Sequence, residues 1–291
     1  MLNRNLLVGI IISVFALVGV AAQESSIVVP ATAEPTQKDW SALDWHDDFE
    51  AAKKKAQEEN KPLYVDFTSS RCGYCRKLES QTYSDPKIWE ELNKSLVLCQ
   101  LNVTQNQELA RRYDALATPT LYLFSPSGAT VFRWKGFLDP NKFPLIILSL
   151  AQSVPLIEAY EKECAKGDPE SIKASAAKLR DGLPPQADLL GRVAWELLTL
   201  HKNSFKSAAV MAKKAYESAP GQTDLLDTLA YAQLGAGEYD DAITHYRSLA
   251  KENYENAHTN LALALAARSG EGDADEAVKV LQDHLKKQFG K

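Results

Sequence analysis

Cysteine is scarce in this sequence. Four of its 291 residues are cysteine, which is too few for a disulfide framework at this length. Positive charge is not in excess either, because 33 Lys and Arg residues stand against 38 Asp and Glu residues and give a formal net charge of -5. Proteins that bind nucleic acid usually show the opposite balance, so we set nucleic acid aside as a partner. Disorder is excluded too, because 45% of the residues are hydrophobic.

Long hydrophobic runs are absent except at the start of the sequence. There, Arg4 precedes an apolar core, and the small residues 20–22 form a cleavage motif. This pattern predicts a cleaved signal peptide over residues 1–22 and export, to the bacterial periplasm. The alternative is an uncleaved membrane anchor formed by residues 6–22. No cysteine directly follows the apolar core, so a lipidated N-terminal cysteine is not predicted.

The rest of the sequence falls into parts of different character. Residues 23–39 contain serine and proline and indicate a flexible spacer. In residues 40–153, strand patterns alternate with helix patterns, which is typical of an α/β layered domain. Beyond that, alanine and leucine recur at helical spacing without a convincing strand. We therefore predict a helical connector over residues 154–184 and an all-α repeat domain over residues 185–291.

The α/β part has recognisable strand and helix patterns. The apolar runs that predict strands are residues 63–67, 96–103, 120–124 and 130–134. The amphipathic patterns that predict helices include residues 47–60, 106–113 and a closing helix over 140–153. A Ser-Pro-Ser-Gly turn joins the last two strands and predicts a hairpin.

The helical part contains an internal period. Ala208 and Ala242 are 34 residues apart, and so are Phe205 and Tyr239. A period of about 34 residues is typical of tetratricopeptide helix pairs, which stack to form a concave surface. Residues 223–253 show the pattern best. The repeats are predicted to bind a protein partner, and an ordinary helical bundle or a structural cap is the alternative.

Two of the cysteines form a Cys-Gly-Tyr-Cys motif at residues 72–75. A zinc site would need a second pair, but Cys99 and Cys164 are 65 residues apart and the five histidines are scattered. A c-type haem site would need histidine at the next position, which is Arg76. We predict no metal and no cofactor. An inert structural disulfide and a redox pair remain as interpretations.

The neighbours of the motif favour the redox interpretation. A strand precedes it and a helix follows, so Cys72 is placed at a helix N-terminus, where backbone N–H groups and the helix dipole stabilise a thiolate. Arg71, Arg76 and Lys77 add positive charge nearby. Cys75 would lie one turn into the helix, shielded and ready to attack a mixed disulfide.

These segments resemble thioredoxin. Val65-Asp66-Phe67 followed by the cysteine motif is similar to its active-site strand and loop, and Thr118-Pro119 is similar to its proline loop. The resemblance covers residues 45 to about 152. It is strongest to the exported variety that begins with a helix instead of a strand, as in the C-terminal domain of the transmembrane thiol reductase DsbD.

The resemblance implies a role for each matching residue. Cys72 would be the nucleophile and Cys75 the resolving thiol. Asp66 would be a buried carboxylate that accepts the proton of Cys75, although strand alternation alone does not bury it and a solvent-facing acid is the alternative. Pro119 would be a cis-proline facing the disulfide, and the backbone of Thr118 would pair with an extended substrate.

The motif also departs from thioredoxin. The two flanking tryptophans are missing, and Gln100 stands where thioredoxin has a lysine beside its buried carboxylate. Gly73 and Tyr74, which are expected to contact the substrate and tune the potential, match the dipeptide of the periplasmic isomerase DsbC, as does Thr118. These matches favour the handling of misformed disulfides.

The sequence therefore predicts an exported thiol–disulfide oxidoreductase, a reductase or isomerase that acts on protein disulfides. An upstream thiol reductant, such as a membrane reductase, would reduce the pair again. The rival hypothesis is a periplasmic binding or assembly factor that uses the redox fold as a platform. Of the remaining cysteines, Cys99 is expected to be a buried small hydrophobe and Cys164 a free thiol.

Overall fold

The structure, a computed structural model, describes residues 39–200 and 204–289. The predicted signal peptide over residues 1–22 lies outside the described residues, as does the spacer up to residue 38. The described residues all belong to one compact unit. No helix within them has the length and apolar character needed to cross a membrane.

A five-stranded mixed sheet forms the centre of the first part. Its strands are β1 Trp45–His46, β2 Leu63–Thr68, β3 Val97–Asn102, β4 Thr120–Phe124 and β5 Thr130–Lys135. They lie in the order β1-β3-β2-β4-β5, with β1, β3 and β2 parallel and β4 and β5 antiparallel. The α/β fold predicted from the alternating patterns is confirmed, and β2 is its central strand.

Helices follow the strands of the sheet. A short 3-10 turn, Trp40–Ala42, precedes the first strand. The helices are α1 Phe49–Glu59, α2 Gly73–Lys77 with its π-helical continuation Leu78–Tyr83, α3 Pro86–Ser95 and α4 Gln107–Arg112. Two separate hydrophobic clusters contain β2 residues, one with Tyr64 and the other with Val65. Both faces of the strand are therefore covered, as expected for the centre of a layered domain.

The expectation that the domain begins with a helix is wrong. The two residues of β1 pair with Leu98 and Cys99 of β3 before α1 begins. The ring of Trp45 lies 5.2 Å from that of Tyr83 and anchors this short strand. Two residues are too few to produce a visible alternation, so the sequence pattern could not indicate the strand.

The closing helix was also predicted wrongly. A π-helical segment, Pro144–Leu148, leads into α5, which runs without a break over Ser149–Lys166. The helix continues because its inner face stays apolar, with Ile157 and Tyr160 still buried. It ends at Gly167, which adopts the left-handed conformation with φ 80°. The predicted boundary at residue 153 thus falls inside one helix.

The residues described after β5 form helices joined by turns and loops, without a strand. The helices of this second part are α6 Pro169–Gly182, α7 Ala187–Leu200, α8 Phe205–Ser218, α9 Thr223–Ala236, α10 Tyr239–Lys251, α11 Ala257–Arg268 and α12 Asp273–Phe289. From α7 onwards, each helix packs against the next in sequence. An all-α region is confirmed, while its assignment to tetratricopeptide repeats stays a prediction.

Small residues bring these helices close together. Ala208 and Ala242, the residues that indicated the period, are both fully buried. At Gly235 a Cβ atom would lie 2.0 Å from the ring of Phe205, so glycine allows α8 to approach α9 closely. Gly237 then turns the chain into α10 with φ 85°.

The two parts share one interior. Strand β5 packs against α7, and Phe132 and Val193 belong to the same hydrophobic cluster. The guanidinium carbon of Arg192 lies 4.2 Å from the ring centroid of Trp134, and α7 therefore caps an aromatic side chain of the sheet.

Candidate functional site

The cysteine motif lies where β2 gives way to α2. Cys72 is the N-cap residue of α2, and its sulfur accepts a hydrogen bond of 3.0 Å from the backbone N–H of Cys75. The two cysteines form a disulfide, with their Cα atoms 5.2 Å apart. Cys72 is half-buried, whereas Cys75 is 1% exposed. An incoming molecule can therefore reach the first sulfur and not the second.

This position would stabilise a negative charge on Cys72 after reduction. The first N–H groups of a helix have no partner within the helix and point toward the cap residue. Arg76 and Lys77 are exposed nearby, and each contacts a neighbouring group. Arg76 donates a hydrogen bond of 3.2 Å to the carbonyl of Ser70, and the Lys77 ammonium lies 4.6 Å from the ring centroid of Phe137. The stabilising contact that the structure shows at the sulfur is the backbone N–H of Cys75 at the helix N-terminus.

The proline loop closes the site from the other side. The Thr118–Pro119 peptide bond is cis. The carbonyl oxygen of Thr118 lies 3.3 Å from the sulfur of Cys72. In the disulfide that sulfur has no proton, so the contact is a close approach, whereas a reduced Cys72 thiol could donate to the same oxygen. The carbonyl of Pro119 accepts a hydrogen bond of 2.8 Å from Gly136, which ties the loop to the end of β5.

The motif and the segment before the proline loop each carry an exposed apolar side chain. Tyr74, inside the motif, is 64% exposed, and Leu116, shortly before the proline loop, is 66% exposed. Gly73 is also exposed and adds no side chain between them. A polypeptide could therefore lie across the motif and contact apolar side chains beside Cys72.

Asp66 lies on the central strand and is 1% exposed. Its Oδ2 atom accepts hydrogen bonds from the hydroxyl of Tyr83 at 3.1 Å and from the amide of Gln100 at 3.2 Å. Burial raises the pKa of Asp66 to about 7, against the smaller opposing effect of these two donors. Its Oδ1 atom is buried with no hydrogen-bond partner among the described residues. The carboxyl group can therefore exchange a proton near neutral pH.

Glu79 is a second carboxylate that sequence reasoning missed. The Gln100 amide lies between the two acids and also donates to Glu79, at 3.4 Å. Glu79 follows Cys75 by four residues along one continuous helical segment, so both lie on the same side of it. Partial burial raises the pKa of Glu79. The spacing of four residues was the available signal, but nothing in the sequence placed Gln100 between the acids.

We expect the Tyr83→Phe substitution to raise the pKa of Asp66 above its value of about 7. The Tyr83 hydroxyl donates to the carboxylate, and its loss removes a group that favours the charged form. The carboxyl stretching band, followed by infrared titration of the oxidised chain, measures this change. Tyr64→Phe is the matched control, because the Tyr64 hydroxyl contacts that of Tyr83, at 2.9 Å. An equal or lower Asp66 pKa in Tyr83→Phe would contradict this account.

The other two cysteines lie apart from the motif. Cys99 is buried in β3, and burial raises the pKa of its thiol to about 12. Cys164 is a half-buried free thiol on α5. Within the described residues, no cluster of three or more His, Cys, Asp or Glu side chains is arranged to hold a metal ion.

The fold and the Cys72–Cys75 pair define the class of the first domain, which is thioredoxin-like. A family model of the thioredoxin-like domain matches residues 49–150, and this segment is a thioredoxin-like domain. The chain is similar to the thiol:disulfide interchange protein DsbD of Salmonella typhimurium, with 31% identity over 144 residues. It is also similar to DsbD of Actinobacillus pleuropneumoniae, with 29% identity over 162 residues. Each match covers 47% of this chain. The matched segment spans about a quarter of the length of these relatives.

Two solved structures are also similar to part of this chain. The oxidised C-terminal domain of DsbD from Neisseria meningitidis has 25% sequence identity and a TM-score of 0.29, covering 32% of this chain and 85% of that one. A thioredoxin from Thermus thermophilus has 32% identity and a TM-score of 0.33, covering 35% of this chain and 81% of that one.

Proposed function

We propose that this chain is an exported thiol–disulfide oxidoreductase that acts on protein disulfides as a reductase or isomerase. The observation that carries the proposal is the placement of Cys72. It caps a helix, is bonded to the buried Cys75 and lies 3.3 Å from the carbonyl oxygen that precedes a cis-proline. An inert structural disulfide has no need of one accessible and one shielded sulfur.

The chemistry follows from this difference in access. In the reduced chain, the Cys72 thiolate attacks a substrate disulfide, forming a mixed disulfide and releasing one substrate thiolate. The Cys75 thiol then loses its proton and attacks the sulfur of Cys72. This forms the Cys72–Cys75 disulfide and releases the second substrate sulfur as a thiolate. Two electrons pass from the chain to the substrate, and the released substrate thiolates take up protons.

Asp66 is proposed as the acceptor of the proton from Cys75. A general base works best when its pKa is near the working pH, and burial raises the pKa of Asp66 to about 7. Gly73, Tyr74, Thr118 and Pro119 are proposed to contact the substrate. The exposure of Tyr74 and the 3.3 Å approach of the Thr118 carbonyl oxygen to the Cys72 sulfur support this assignment.

The oxidised pair must be reduced again by an upstream thiol donor. We propose a membrane reductase for this step and the bacterial periplasm as the location, with residues 1–22 as the signal peptide. The similarity to thiol:disulfide interchange proteins supports a partner that exchanges thiols and disulfides. The division into residues 40–153, 154–184 and 185–291 stays part of the same proposal as a division of sequence, since its first boundary lies inside α5.

The second candidate is a binding or assembly factor that uses both parts as a platform. The helical part favours it through an exposed aromatic pair. Trp195 on α7 and Tyr231 on α9 have ring centroids 6.2 Å apart, and their side chains are 46% and 38% exposed. We propose that the tetratricopeptide-like surface over residues 185–291 binds a protein partner in either case.

Insulin reduction by dithiothreitol tests the enzymatic proposal. We expect the full chain to accelerate the reaction over the uncatalysed rate, because the reduced Cys72 is a better nucleophile toward protein disulfides than dithiothreitol is. No acceleration would overturn the proposal and leave the platform. Reactivation of scrambled ribonuclease separates an isomerase from a reductase.

The reduction potential of the Cys72–Cys75 pair gives the direction of electron flow. A value near that of thioredoxin, about -270 mV, indicates a reductase, and one near about -120 mV indicates an oxidase. Equilibration of the full chain with glutathione buffers measures it.

A further inference from the structure

A cleft of about 350 Å³ opens at the junction between the sheet and the helical part. Its walls come from the end of β5, the segment Pro144–Leu148 and the start of α7. The apolar lining includes Trp134, Leu145, Ile146 and Leu189. A mostly apolar cleft of this size is typical of a binding site, and such sites are frequent between domains.

Two residues of this lining each carry a buried polar atom without a partner in the part of the chain that the structure describes. The indole N–H of Trp134 and the side-chain oxygen of Gln186 are both buried, and neither has a hydrogen-bond partner among the described residues. Leaving a buried polar group unpaired costs free energy, so such groups are uncommon and need an explanation. One donor and one acceptor are what a peptide backbone needs, because its carbonyl accepts and its N–H donates.

The charged groups of the cleft do not favour an ion. The Arg192 guanidinium is stacked on the ring of Trp134. Lys142 and Asp188, which also line the cleft, have opposite signs. Leu145 is an apolar residue of the lining, and its side chain is 51% exposed. The cleft therefore matches an uncharged apolar segment better than an acidic or basic one.

The cleft is connected to the redox site through β5. Trp134 pairs with Leu121, which lies two residues after Pro119. Gly136, two residues after Trp134, donates to the carbonyl of Pro119. Two residues of extended chain span about 7 Å. A polypeptide lying over the proline loop can therefore reach the cleft within a few residues.

We propose that this cleft binds an extended, uncharged apolar segment of the protein substrate while the substrate disulfide lies at Cys72. The Trp134 indole donates to a backbone carbonyl of that segment, the Gln186 side chain accepts from a backbone N–H, and Leu145 contacts its apolar side chain. This inference rests on the proposed function. It assigns to the helical part a direct share in selecting substrates, because α7 completes the cleft and Gln186 directly precedes that helix.

The test compares a protein disulfide with a small one. The second-order rate constants of the reduced full chain are measured with insulin and with hydroxyethyl disulfide, which has no peptide group. We expect Trp134→Phe, which removes the indole N–H and keeps a ring, to lower the constant for insulin by about three- to tenfold, as loss of one hydrogen bond predicts. The constant for hydroxyethyl disulfide should not change. Leu145→Ser should have the same selective effect, and its exposed position makes loss of folding a poor explanation.

Trp89→Phe is the matched control. It removes an indole N–H that donates 3.1 Å to the carbonyl of Asp39, on a helix that does not line the cleft. If wild type reduces insulin but Trp134→Phe and Leu145→Ser keep the wild-type constant, the cleft proposal is overturned and the redox proposal stands. A parallel loss toward both disulfides also overturns it. If wild type does not reduce insulin at all, the proposed function itself fails.

Discussion

Replacing Cys72 by serine is expected to abolish insulin reduction, and replacing Cys75 by serine is expected to stop the reaction at a mixed disulfide. Of the two cysteines in the disulfide only Cys72 is accessible, so its loss removes the proposed nucleophile. Cys75 lies within bonding distance and acts intramolecularly, so its loss should slow turnover by at least about a hundredfold. Stopped reactions, separated on non-reducing gels and weighed by mass spectrometry, measure both effects.

Two further cysteine variants serve as controls. Cys99→Ala and Cys164→Ala should keep the wild-type rate, because neither residue forms a disulfide. Trapped substrate should be attached to Cys72 alone in the Cys75→Ser variant. Turnover by Cys72→Ser at the wild-type rate, or substrate trapped on Cys164, would show that another thiol does the chemistry.

The Asp66→Asn substitution is expected to stabilise the oxidised chain at pH 8 by roughly 4 kcal/mol. The carboxyl has a pKa of about 7 in the fold and 3.8 as its ordinary value, so the two differ by about 3. Each pKa unit corresponds to 1.36 kcal/mol, and the whole difference counts once the pH exceeds both values. Asparagine fills the same space without a charge to bury. Urea unfolding measures the change in the free energy of unfolding.

The pH dependence of the free energy of unfolding shows whether the raised pKa of Asp66 causes this difference in stability. Between about pH 4 and pH 7, folded Asp66 keeps a proton that the unfolded chain has already lost. The unfolded state therefore binds fewer protons, and the stability of the wild type falls as the pH rises through this window. Asp66→Asn should not show that contribution, and the two proteins should have similar stability below pH 4. Parallel curves from pH 4 to pH 8 would contradict the raised pKa.

The strands were predictable because they are short apolar runs between turn residues. The prediction for residues 120–124 agrees with β4, and that for residues 63–67 falls one residue short of β2. The length of α5 was not predictable in the same way. Its continuation depends on burial against neighbouring helices, which local periodicity does not record.

The residues of the site also fall into those that the sequence could predict and those that only the fold reveals. The cysteine motif and Thr118-Pro119 are each a run of adjacent residues, so a resemblance could identify both from the sequence. The burial of Asp66 could not be derived from alternation, because Val65 and Phe67 point to the opposite face. It follows from both faces of β2 being covered. The bridge from Asp66 through Gln100 to Glu79 joins three elements far apart in sequence, and only the fold brings them together.

Helix α5 continues through residue 153, although Pro155 inside it lacks a backbone N–H, so the redox motif and the following helices are held together mainly by the side chains that they bury in common. Bending the chain at residue 153 would break helical turns and expose side chains that both parts bury in common. The protein therefore differs from one in which a flexible linker lets a redox domain change its position relative to a binding domain. A protein bound to the helices would approach the Cys72 sulfur from one fixed direction. The geometry of that protein would then decide which of its disulfide bonds lies at Cys72.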